Sequence, residues 1–214
     1  PAESGKLRRV SRIMPRLIVF LSAFLLFQMQ PFLGRYILPW FGGSPAVWAT
    51  CLLVFQTLLL AGYGYAHWLT RMPVQRLLLA LSLAFLPLGP DAGIWKPDSM
   101  QHPTGQVAWL LLANAGLPYL LLSSTGPLIQ RWVHESGANP YRLYAYSNAG
   151  SLLGLLSYPF LLEPLLKLRA QGWLWSALYI AWTVAIGWYS LRQKPVTTEG
   201  AVRVPFSDFA YWMA

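Results

Sequence analysis

Of the 214 residues, 56% are hydrophobic and only 11% charged, against the roughly one quarter of charged residues usual in soluble domains. Lys and Arg number 16 against 7 Asp and Glu, a net charge of +9. The basic residues flank apolar stretches instead of forming a stripe interleaved with aromatics, which argues against a soluble enzyme and against nucleic-acid binding; anionic lipid headgroups account for the charge.

A hydrocarbon core about 30 Å thick requires about 20 apolar residues per helix. Residues 1–16, with Lys6, Arg8, Arg9, Arg12 and Arg16, read as a basic cytoplasmic N-terminal segment. The first span, 17–37, has no small-residue cleavage site after its apolar run, so it is expected to stay uncleaved. Gly42-Gly43-Ser44-Pro45 separates it from span two, 46–69. Arg71-Met72-Pro73 leads to span three, 76–94, where Pro87-Leu88-Gly89-Pro90-Asp91 opens the longest outer loop, up to about residue 104. Span four covers 106–130; Glu135-Ser136-Gly137-Ala138-Asn139-Pro140 leads to span five, 143–162; span six covers 171–191. Residues 193–204 read as a cytoplasmic linker, and 205–214 as the start of a seventh span or an interfacial stub. The expected fold is therefore an all-α integral membrane protein, a six-transmembrane-helix bundle over 17–192.

Orientation follows from charge. With the N-terminus in the cytoplasm, only Arg35, Lys96, Lys167 and Arg169 of the 16 basic residues fall outside, and basic loops stay inside. Both ends are then cytoplasmic, as in a multi-pass protein of a bacterial inner membrane. Trp40, Trp48, Trp68, Trp95, Trp109, Trp132, Trp173 and Trp188 lie near span ends, where amphipathic rings favour the headgroup level.

Polar residues inside a bilayer are costly, so each is a functional candidate. These are Gln28 and Gln30 in span one, Gln56 in span two, Asn114 in span four, and Asn148 with Ser147 and Ser151 in span five. They could line a polar pathway, or they could form interhelical hydrogen bonds worth about 0.6 kcal/mol each. No Asp or Glu lies deep in any span, which favours the second reading. Gly150 and Gly154 form a GxxxG pattern extended by Ser147 one turn earlier, the mark of a close helix–helix contact. The single cysteine, Cys51, allows no intrachain disulfide and is expected to pack as a small hydrophobe. His67, His102 and His134 fall on opposite faces, so no three-histidine metal site is expected. Ser123 and Ser124 lack the partners of a nucleophile, and no Gly-rich loop follows a strand. No enzyme activity, cofactor or metal is expected.

A repeat runs through the chain. Pro31…Arg35-Tyr36 ends span one and Pro127…Arg131-Trp132 ends span four, 96 residues later. Ser44-Pro45 opens span two and Asn139-Pro140 opens span five, 95 later. Three intervening helices reverse direction, as in a three-plus-three inverted repeat.

The stretch Phe27-Gln28-Met29-Gln30-Pro31, continuing through Leu38-Pro39-Trp40-Phe41-Gly42-Gly43-Ser44-Pro45, resembles the membrane region of the fused major-facilitator/spermidine-synthase family. So do Gly116-Leu117-Pro118-Tyr119, Ser124-Thr125-Gly126-Pro127-Leu128, Pro140-Tyr141-Arg142-Leu143-Tyr144-Ala145, Ser147-Asn148-Ala149-Gly150-Ser151-Leu152-Leu153 and Glu163-Pro164-Leu165. The resemblance covers residues 20–177 and implies a bundle similar to one half of a major facilitator fold. In that family more spans follow and, in many members, an aminopropyltransferase-like soluble domain; no part of such a domain lies in these residues, so no catalytic residue carries over. The leading expectation is a non-catalytic scaffold or accessory subunit in contact with lipid and with other membrane subunits or further transmembrane helices. Half of a small-molecule transporter, or the anchor of a fused aminopropyltransferase-like enzyme, are the alternatives.

Overall fold

Helix α1, Ala2–Phe41, is 40 residues long and runs through Pro15, Pro31 and Pro39. The computed structural model describes residues 2–69, 72–97, 103–137 and 139–192, the side chains of 2–12 and 72 excepted. The expected linker 193–204, the segment 205–214 and His102 lie outside the described residues. Within them the chain is all-α, without a strand. The stretch taken as a basic segment, from residue 2 to 16, is the first part of α1.

Helix α2, Pro45–Trp68, starts where the sequence provides a cap: Ser44 Oγ accepts from Val47 N at 3.3 Å, and Pro45 takes the first helical position. Helix α3, Met72–Ser82, ends in a 3₁₀ turn over Leu83–Phe85. Here the structure corrects the sequence reading, which carried span three to residue 94. Pro87 disfavours helix at Leu86, and Gly89 at φ +141° and Pro90 break it further. The released backbone is held from across the bundle, since Leu88 N donates to Ser176 Oγ at 2.9 Å. A short helix α4, Ala92–Trp95, is capped by Asp91. Helix α5, Pro103–Glu135, has 33 residues. Helix α6, Tyr141–Ser157, passes into a π turn over Tyr158–Leu162 and then α7, Glu163–Leu165. Pro159 has no N–H to continue the α ladder, and Glu163 N reaches back to Tyr158 O. Helix α8, Leu168–Ser190, closes the described fold.

Among the described residues three helical segments are long and apolar enough to cross a membrane: Ile13–Phe41, Pro45–Trp68 and Pro103–Glu135. The surface is apolar and the interior carries polar groups. Leu53, Leu60, Leu152 and Phe160 are exposed, whereas Gln28, Gln75, Ser82, Ser124 and Gln171 are buried. That distribution suits a hydrocarbon surround.

Helices α1 and α5 form the centre of the bundle. α6 packs along α1 and α2 along α5, while α3 and α8 pack against each other and against α5 and α1. These leading pairings are unchanged when α1 is exchanged with α5, α2 with α6 and α3 with α8. Direction is set by the paired residues. Gly150 and Gly154 meet Phe20 and Phe24, so α6 runs parallel to α1. Trp175 reaches Leu25 and Gly172 reaches Phe32, so α8 runs antiparallel to it. In the core Trp175, Tyr179 and Trp182 stack along α8 at ring separations of 5.1 and 5.2 Å.

Candidate functional site

The polar residues singled out by sequence do not converge on one pocket. Gln28 is buried and donates from Nε2 to Ser157 Oγ at 3.0 Å, joining α1 to α6. Gln30 donates to Tyr119 Oη at 2.9 Å, joining α1 to α5. Asn114 donates to Leu110 O of its own helix at 2.9 Å. Gln56 and Asn148 are exposed on α2 and α6, and Ser147 is half-buried. Between α2 and α5 the rings of Phe55 and Tyr119 lie 5.1 Å apart and fill the space.

The glycines are where the helices touch most closely. A Cβ at Gly150 would strike the carbonyl oxygen of Phe20, and one at Gly154 would lie 2.5 Å from that of Phe24. Gly62 is the counterpart on α2: a Cβ there would lie 2.7 Å from Leu120 O and would strike Ser123 Oγ. Phe24 and Leu120 stand 96 residues apart, the spacing of the Pro…Arg motif.

The motif's two arginines occupy matching places at opposite ends of the bundle. Arg131, near the end of α5, donates from Nη1 and Nη2 to the carbonyls of His67 and Leu69, at 3.4 and 3.0 Å. There it satisfies carbonyls that a helix C-terminus leaves without partners. Arg35, near the end of α1, lies 3.7 Å from Glu163 just beyond the π turn. Thus each arginine reaches from the first helix of one half to the end of the second helix of the other.

A second matched pair went unnoticed in the sequence. Tyr65 Oη donates to Gln75 Oε1, linking α2 to α3, and Tyr158 Oη donates to Gln171 Oε1 at 2.9 Å, linking the π turn to α8. Gln171 also donates to Leu162 O and Leu166 O, at 3.2 and 2.8 Å, tying together the turn between the two helices. Gln75 and Gln171 again stand 96 apart. The 96-residue spacing of the two glutamines, the same as that of Arg35 and Arg131, was the signal that could have found them.

Among the described residues no three of His, Cys, Asp and Glu come together as a metal site. His67 and His134 are both exposed. Cys51 is buried and free. The arrangement can hold helices at fixed depth and orientation, with Gln28, Gln30, Gln171 and Arg131 bonding across from one helix to another. No family model, curated protein or solved structure matches this chain.

Proposed function

We propose that the chain is a six-span, non-catalytic membrane domain that serves as a scaffold or accessory subunit of a larger membrane assembly. Its setting is a bacterial inner membrane with both ends in the cytoplasm, and its fold is similar to one half of a major facilitator. Three helical segments meet the length and apolarity of a span. In this reading α6 with its π turn and α7 supplies a fourth. α8, with 23 residues and about 1.5 Å of rise per residue, supplies a fifth, and α3 with the irregular stretch after it completes six. The quoted resemblance to the membrane region of the fused major-facilitator/spermidine-synthase family supports the same reading.

The observation that carries the scaffold role is the pair Gln56 and Asn148. Both are exposed, on α2 and α6, the helices that flank the central pair. A carboxamide facing hydrocarbon is unfavourable, so both positions call for further membrane helices as neighbours. A photo-crosslinking residue placed at 56 or 148 in native membranes should give a discrete adduct with a membrane polypeptide. Adducts with lipid alone at both positions would defeat the proposal.

The two-fold helix exchange favours one other reading, half of a small-molecule transporter. Proteoliposomes loaded with the chain and its co-purifying partners separate the two. Saturable solute uptake would support transport, and its absence alongside a stable complex supports the scaffold.

A further inference from the structure

At the end of the bundle where α1 turns into α2, a cavity of about 460 Å³ opens between α1, α8 and the segment after α3. Small-molecule sites span roughly 300–1,000 Å³. Tyr36, Trp40 and Trp173 form aromatic walls, and Asp91 and Arg169 bring one charge of each sign to the same space. Tyr36 and Trp40 meet edge to face at 5.5 Å and 65°, and both line the cavity.

The cavity is built by close backbone packing. Gly89 takes φ +141°, and a Cβ there would lie 2.8 Å from Tyr36 Oη. A Cβ at Gly172 would strike Leu88 O, so residues 88 and 89 are pinned between α1 and α8. Asp91 Oδ1 accepts from Gly93 N at 2.7 Å, which fixes the carboxylate at the exposed rim of the cavity. Arg169 makes no ion pair or hydrogen bond among the described residues. A fixed carboxylate, a guanidinium without a partner among the described residues, and aromatic rings around one cavity describe a receptor for a molecule carrying both charges.

We propose that this cavity binds a phosphoethanolamine group, with its phosphate on Arg169 and its ammonium on Asp91 and the aromatic walls. Guanidinium matches phosphate oxygens in bidentate fashion, and ammonium is held by carboxylate and by aromatic faces together. Trp173 is 56% exposed and lines the cavity, as suits a tryptophan at a membrane interface. A phospholipid headgroup can enter there from the bilayer, and a water-borne glycerophosphoethanolamine from the open end. The site requires only that this end of the bundle lie at an interface, so it stands apart from the scaffold role.

The test is native mass spectrometry of the full chain released from detergent with defined lipids. Phosphatidylethanolamine should be retained about tenfold over phosphatidylglycerol, which offers the phosphate without the ammonium. Arg169→Gln should lower retention of both lipids, whereas Asp91→Asn, which keeps the helix cap, should bring phosphatidylethanolamine down to the phosphatidylglycerol level. Both residues are exposed, so neither change disturbs the core. Displacement of the lipid by glycerophosphoethanolamine supports the site and assigns a water-borne ligand; no displacement, with the two variants behaving as stated, supports it and assigns the lipid. Equal retention of the two lipids by the wild-type chain, or wild-type retention by both variants, would overturn the proposal.

Discussion

Gly62 stands so close to Leu120 that a Cβ at position 62 would lie 2.7 Å from the Leu120 carbonyl oxygen. Gly154 stands in the same relation to Phe24, at 2.5 Å. The bundle thus builds one contact twice, each time between the second helix of one half and the first helix of the other. The absence of a side chain lets the two backbones approach, so dispersion contacts and weak Cα–H···O bonds can hold helices where no hydrophobic effect drives them together.

Gly62→Ala and Gly154→Ala should each destabilise the purified protein by about 1–3 kcal/mol, the usual range for overpacking a close contact. Gly126→Ala is the control, because nothing lies within 4 Å of a Cβ there; it should be neutral or stabilising, as alanine favours helix. Unfolding in mixed micelles with rising denaturing detergent measures all three. Equal stability of the Gly62, Gly154 and Gly126 variants would show that the helix contacts tolerate a methyl group.

The repeat was legible in the sequence only where its spacing stays constant. Pro31 and Pro127, and Arg35 and Arg131, keep 96 residues between them. In the second helix of each half the spacing drifts. Gly62 and Gly154 differ by 92, although Pro45 and Pro140, at the starts of their helices, differ by 95. The lost three residues amount to nearly one helical turn of 3.6 residues, so the contact face survives while the register does not. They return in the connection that follows, since Tyr65 and Gln75 are 10 apart and Tyr158 and Gln171 are 13 apart. A search at fixed spacing passes over such a compensated deletion. The end of span three was illegible for another reason. Residues 83–94 are apolar enough to read as membrane helix, and the break comes from Pro87, Gly89 and Pro90 acting together. The polar candidates divide between helix contacts and the surface, because composition marks a residue as intramembrane and polar without saying which side of its helix it occupies. Gln28 faces α6, Gln30 faces α5, and Gln56 faces outward.

The tyrosine–glutamine pairs lend themselves to a paired test. Tyr65→Phe and Tyr158→Phe each remove one hydroxyl donor and keep the ring, so each should cost about 0.6–1.7 kcal/mol. Tyr158→Phe should be the milder in its effect on the glutamine, because Gln171 keeps its two bonds to Leu162 O and Leu166 O. Detergent unfolding reads the stabilities. A loss for neither variant would mean that the hydroxyls are satisfied as well in the unfolded state.

Arg131 and Arg35 should differ although their positions match. Arg131 donates to two carbonyls at the end of α2, a contact of charge with a helix C-terminus. Arg35 pairs with Glu163 at 3.7 Å with the side chains 37% and 46% exposed, where screening leaves such a pair within about 0–1 kcal/mol. Arg131→Gln should therefore destabilise by about 1 kcal/mol, an effect that salt screens in part. Arg35→Gln should cost a few tenths at most, an effect that fades in high salt. A larger loss for Arg35→Gln would reverse the ranking.

The two ends of the bundle carry different charge, which makes its orientation testable. Arg16 lies over the Tyr146 ring at 5.7 Å, Arg131 grips the end of α2, and Arg192 lies over Trp188 at 3.7 Å, all at the end where α1 enters and α8 leaves. Arg35, Lys96, Lys167 and Arg169 belong to the other end. Basic residues near membrane helices stay on the cytoplasmic side, so Gly43 and Lys96 should face outward and Gly137 inward. Single cysteines at these three positions, in a Cys51→Ser background, report this through a membrane-impermeant maleimide applied to spheroplasts. Cys51 is only 4% exposed, so its removal lowers background without uncovering a surface. Positions 43 and 96 should label in intact spheroplasts, and position 137 only after the membrane is opened. Labelling of 137 in intact spheroplasts, with 43 and 96 protected, would invert the orientation; labelling of all three alike would rule out a membrane-spanning arrangement.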